Sequence, residues 1–67
     1  MKTFIYKPVG LDRIEDRHAG RLETGQKVVL TQPYGCPRNG TMGHCYIADA
    51  ATGDFIGLVL INSLEAA

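Results

Sequence analysis

Phe55-Ile56-Gly57-Leu58-Val59-Leu60-Ile61 is an unbroken run of residues without a charged or hydrogen-bonding side chain. It has the length of a strand and is too short for a stable isolated helix. A strand in a sheet with one wet face alternates apolar and polar residues. This one does not, so both of its faces call for burial. One face meets the core. The other meets either another part of the chain or a second copy of it, with Phe55, Leu58 and Leu60 as the contact residues. Gly57 inside the run marks a bulge or a sharp bend.

Working outward, Ala50 to Gly53 reads as a turn, flanked by Asp49 and Asp54. Turn aspartates serve the backbone directly, so this pair reads as structural and not as catalytic carboxylates. Thr41 to Ala48 and Gln26 to Thr31 read as strands, and so does Lys2 to Lys7, with Phe4 and Tyr6 on one face. Pro8-Val9-Gly10 closes the first strand. Leu11 to Ala19 is the one helix candidate: Asp12 and Glu15 have capping-box spacing, and Leu11, Ile14, His18 and Leu22 recur at helical steps. It forms a short helix or a structured arm. Asn62-Ser63-Leu64 adds a short turn and a last apolar anchor. The expected fold is mainly β: a small barrel of about five short strands, with a short helix or arm near the N-terminus.

The chain has 67 residues, the size of one domain spanning 1–67. Ordering them costs on the order of 100 kcal/mol, at about 1.5 kcal/mol each. A core this small leaves little surplus, which favours help from a disulfide, a metal or a second subunit. Seven basic and seven acidic residues give zero net charge. That balance disfavours a dedicated nucleic-acid binder and a polybasic membrane-surface role. No stretch reaches the ~18 apolar residues of a membrane span, and the N-terminus lacks the apolar run of a signal peptide. These features point to a cytoplasmic protein, in which Cys36 and Cys45 read as free thiols, with Cys45 a small core residue; the alternative is a bridge between them, as diagonal neighbours on a hairpin.

Between the second and third strands lies the loop Gln32 to Gly40, punctuated by Pro33, Gly35, Pro37 and Gly40. Asn39-Gly40 is a tight-turn signal for a two-residue hairpin. The segment Gly25-Gln26-Lys27-Val28-Val29-Leu30, the long loop, Asn39-Gly40-Thr41, and Gly57 through Leu64 together resemble the SH3-like small barrels, over roughly residues 23–65. That resemblance implies a five-stranded barrel. It also implies that the long loop is a recognition loop, as in modules that bind peptides or modified side chains. The type II dihydrofolate reductases, which share this barrel and work as a ring of four around a common pore, are similar in size and in an apolar last strand. Where their active strand reads Val-Gln-Ile-Tyr, this chain has Leu58-Val59-Leu60-Ile61. No polar group stands there, and no catalytic residue is carried over.

No complete catalytic or metal-binding set is visible. Cys36, His44, Cys45 and His18 lack the paired ligand spacing of a zinc site, and adjacent strand residues such as His44 and Cys45 point to opposite faces. Cys36 and His44 have no third group to orient a base. No phosphate loop or dinucleotide fingerprint occurs. The expectation is therefore a non-enzymatic interaction module with no cofactor and no metal. Tyr34, Arg38, Asn39, His44 and Tyr46 are its candidate binding residues, because tyrosine and arginine are enriched at binding hot spots and long loops carry function. A protein partner and a homo-oligomer are expected. The alternatives are an oligomeric enzyme with a shared intersubunit pore, or a barrel that binds RNA or DNA locally through Lys27, Arg38 and the tyrosines.

Overall fold

The computed structural model describes residues 2–8, the backbone of 17–18, and 22–67. Among the described residues, six strands are arranged in one antiparallel sheet: β1 (Thr3–Tyr6), β2 (Arg17–His18), β3 (Lys27–Thr31), β4 (His44–Asp49), β5 (Phe55–Leu60) and β6 (Leu64–Ala66). Their order is β2-β5-β4-β3-β1-β6. The consecutive strands β3, β4 and β5 form a meander. The first and last strands lie side by side, with Phe4 opposite Ala66 and Tyr6 opposite Leu64. The mainly β, small barrel-like architecture expected from the sequence is what the chain adopts, with one strand more than expected.

The inward residues of this sheet build the core. Val28 of β3, Ile47 of β4 and Val59 of β5 are fully buried, together with Tyr6 and Ile56. Phe4, Leu22, Leu30 and Leu64 pack against them. Phe4 and Tyr6 thus share the inner face of β1, and Leu64 is the apolar anchor its position implied. Removing a Val or Ile side chain from water contributes roughly 1.5–3 kcal/mol each. Cys45 is buried in the same layer, and neither cysteine is bridged. Burial raises the Cys45 thiol above its ordinary pKa, partly offset by a backbone hydrogen bond from Gly40.

Gly57 does mark a bulge. Ile47 faces Gly57 and Ala48 faces Phe55, so Ile56 is the extra residue on β5. The bulge lets Ile56, Gly57 and Val59 all be buried, while Phe55 stays exposed and Leu58 and Leu60 remain half-buried. The second face of β5 is therefore left partly open, and β2 pairs along its edge, with Arg17 opposite Leu58 and His18 opposite Gly57.

That pairing corrects part of the helix reading. Residues 11–16 and 19, and Val9-Gly10 of the first turn, lie outside the described residues. Arg17 and His18, however, have extended backbone. Pairing along the free edge of β5 gives this backbone a partner strand, which three-four periodicity does not anticipate. The strand expected over Thr41 to Ala48 also begins later. Thr41–Gly43 is a turn of 3-10 helix, and Met42 has φ 57° and ψ 22°. A left-handed backbone cannot continue a ladder. At the other end Ile61–Ser63 is a second 3-10 turn, which swings the chain round so that β6 reaches β1. The exposed pair Lys7–Glu65, 2.7 Å apart, sits across that seam.

Candidate functional site

The loop between β3 and β4 is held by two side-chain amides. Gln32 donates through Nε2 to the carbonyls of Cys36 (3.0 Å) and Pro37 (2.8 Å), and its Oε1 accepts the N–H of Asn39 (3.1 Å). Asn39 donates through Nδ2 to the Thr31 carbonyl and accepts the Tyr46 N–H on Oδ1, both at 2.9 Å. Thr31 and Tyr46 are the last paired residues of the β3–β4 ladder. The Asn39 carboxamide thus stands where a strand's peptide group would, bridging the ladder as its two strands part. The Tyr46 phenol is held above its ordinary pKa chiefly by a hydrogen bond with the Cys36 side chain, with burial adding to the effect.

Within the loop are two tight turns. Cys36 N–H donates to the Pro33 carbonyl (3.2 Å), placing Tyr34 at the corner and Gly35 at φ 81°. Thr41 N–H donates to the Arg38 carbonyl (3.1 Å), with Gly40 at φ 94°. Only the glycine takes positive φ in each, the pattern of a type II turn. Asn39-Gly40 therefore does form a tight turn, but not the two-residue hairpin expected, because the hairpin arms stop pairing at Thr31 and Tyr46. The Asn39 side chain, committed to both strands, sets that difference.

The folded loop leaves a groove of about 290 Å³ against the sheet, lined by Pro37, Arg38, Thr41, Met42, His44, Tyr46 and Leu58. Loop residues supply one wall, His44 and Tyr46 of β4 the floor, and Leu58 of β5 the far side. Tyr46 also leans on Phe55, ring centroids 6.4 Å apart and tilted by 31°. Of the residues expected to bind, Arg38, His44 and Tyr46 meet at this groove. Tyr34 does not line it; it projects fully into solvent from its turn. Asn39 is spent on the latch. Pro37, Thr41, Met42 (88 % exposed) and Leu58 are the members that the sequence did not single out as binding residues. The solitary left-handed Met is invisible to apolar patterning.

A second, more polar concavity lies at the other end of β4, lined by Glu23, Gln26, Asp49, Thr52, Asp54, Phe55 and Ile56. Its central acid is structural. Asp49 Oδ1 accepts the N–H groups of Ala51 (2.8 Å) and Thr52 (3.0 Å), and Oδ2 accepts Gln26 Nε2 (2.9 Å). The Thr52 N–H, then the Ala51 N–H, hold the Asp49 carboxyl below its ordinary pKa. Among the described residues no three His, Cys, Asp or Glu side chains are grouped to hold a metal ion, and no helix is long and apolar enough to cross a membrane.

Comparison with protein-family models, curated proteins and solved structures finds nothing that matches this chain. Fold and groove together define a class: a small, mainly β domain carrying a pre-shaped apolar groove beside a latched loop.

Proposed function

We propose that the chain is a non-enzymatic interaction module of the SH3-like barrel type, binding a protein partner through the 32–40 loop and the groove that loop makes with β4 and β5. The observation that carries this is the latch. Two amides fix the loop with five hydrogen bonds before any partner arrives, and a pre-organised surface loses less conformational freedom on binding. The return of the last strand to the first after a 3-10 turn supports the barrel type. An unbiased peptide-display selection tests the reading. It is expected to yield binders that lose about tenfold or more in affinity on Met42→Lys or Leu58→Ser, the scale of one hot-spot contact. A selection that yields no groove-dependent binder overturns it.

A second reading rests on the outer face of β5 and the turn after it: Phe55 is 49 % exposed, Leu58 and Leu60 are only half-buried, and Ile61 in the turn is 48 % exposed. That face supports self-association, since apolar area left wet on so small a domain is recovered by pairing. Sedimentation under reducing conditions is expected to show a dimer or larger species that Phe55→Ser with Leu60→Ser converts to monomer. A wild-type monomer at every concentration removes this reading.

A further inference from the structure

The groove is mostly apolar. Pro37, Met42, Tyr46 and Leu58 supply its apolar surface, Thr41 and His44 add polar groups, and Arg38 stands exposed at its rim. Among the described residues the one ion pair joins Lys7 to Glu65, so the Arg38 guanidinium has no carboxylate of its own there. The other described acids gather at the opposite end. Glu23, Asp49 and Asp54 line the second concavity, and β4, which runs from His44 in the groove to Asp49, separates the two ends by roughly 17 Å of strand rise. Among the described residues, then, the acids stand away from the groove and Arg38 is the charge beside it.

Resting on the reading of the domain as an interaction module, we infer that the groove takes an extended acidic peptide segment of a partner protein, one apolar side chain entering between Met42, Tyr46 and Leu58 while a neighbouring carboxylate seats on Arg38. The volume lies at the lower limit of the ~300–1,000 Å³ typical of small-molecule sites, a size for one side chain. Thioether and ring supply adaptable apolar contact. Tyr46 lines the groove and its ring lies beside Phe55. Apolar walls alone admit any aliphatic or aromatic residue. The guanidinium fork discriminates among them, because it matches a carboxylate with two parallel hydrogen bonds and repels a basic segment.

Three fluorescent twelve-residue peptides with one central leucine test this, flanked by Asp and Glu, by Ser, or by Lys. Fluorescence anisotropy at low salt is expected to show the acidic peptide binding about tenfold or more tightly than the serine peptide, a gap that narrows at high salt. Arg38→Glu, whose site is exposed and whose folding is checked by circular dichroism, is expected to abolish that preference, and Leu58→Ser to weaken the acidic and serine peptides alike. Equal binding of the acidic and serine peptides, both lost on Leu58→Ser, overturns the acidic partner while leaving the module reading intact. Failure of the acidic peptide to bind at all also overturns it, and the display selection then decides the module reading separately. Conversion of an oligomer to monomer by Arg38→Glu would make a second copy the occupant, and overturns the assignment to a partner protein.

Discussion

Asn39→Asp is expected to remove about 2–4 kcal/mol of folding stability at neutral pH, as measured by urea unfolding followed by circular dichroism. The carboxamide has two jobs, donating to the Thr31 carbonyl and accepting the Tyr46 N–H. A carboxylate keeps the second. At the first it sets an anionic oxygen against a carbonyl oxygen, in place of a hydrogen bond of 2.9 Å. That contact is repulsive, and charge raises the cost of a partly buried mismatch. A small domain holds only about 3–5 kcal/mol in total, so the variant is expected to be largely unfolded or to lose the loop. The pH dependence has a defined sign. Contact with a carbonyl raises the folded-state pKa of the new carboxyl above its unfolded value. The neutral acid is then the favoured folded form, and it can donate to Thr31. The deficit is full above the raised pKa and shrinks as pH falls through it. Asn39→Ala loses both bonds without gaining a charge, so its deficit is about 1–3 kcal/mol and lacks this pH dependence. Wild-type stability in Asn39→Asp would show that the latch does not hold the loop.

Ile47→Ala is expected to cost about 2–5 kcal/mol, towards the upper end. Ile47 is fully buried at the centre of β4, between Leu30 of β3 and Gly57 of β5. The cost of such a deletion depends on how far neighbours collapse into the hole. On one side the neighbour is a glycine, with no side chain to move. Ile47→Val, which removes one methylene from the same place, should cost about 0.5–1.5 kcal/mol. Thermal unfolding of the pair measures both, and similar losses for the two would mean that the bulge relaxes to fill the space.

Much of the sheet was legible in the sequence. The apolar centres Val28-Val29-Leu30, Cys45-Tyr46-Ile47 and Phe55 to Leu60 became β3, β4 and β5, because runs of this kind have few other ways to bury themselves. Gly57 announced its bulge, and the Asp49 turn was read correctly. The missing parts depend on contacts between distant residues. That Asn39 bridges Thr31 and Tyr46 follows from where two strands diverge, which no local pattern states. The same holds for Gln32, whose three bonds organise a loop read only through its prolines and glycines. Met42 looked like part of a strand because its left-handed backbone leaves no mark on hydropathy. Arg38, His44 and Tyr46 were found by residue type and do meet at the groove. Tyr34, chosen on the same ground, stands apart from it, because its turn directs it to solvent.

Asn39 and Gly40 are also the pair of neighbours in a polypeptide most prone to spontaneous chemical ageing. The glycine nitrogen attacks the asparagine side-chain carbonyl carbon, ammonia departs, and the cyclic imide that remains hydrolyses to aspartate or isoaspartate. In this fold both reacting groups are engaged elsewhere. The Gly40 N–H donates to the His44 carbonyl at 2.7 Å, and the Asn39 carboxamide is tied to β3 and β4. While the loop is shut the reaction is restrained, and each opening exposes it. The aspartate product places a carboxylate at the latch itself, so one event of damage holds the loop open. The latch that shapes the groove is in this way also what shields the pair from that reaction.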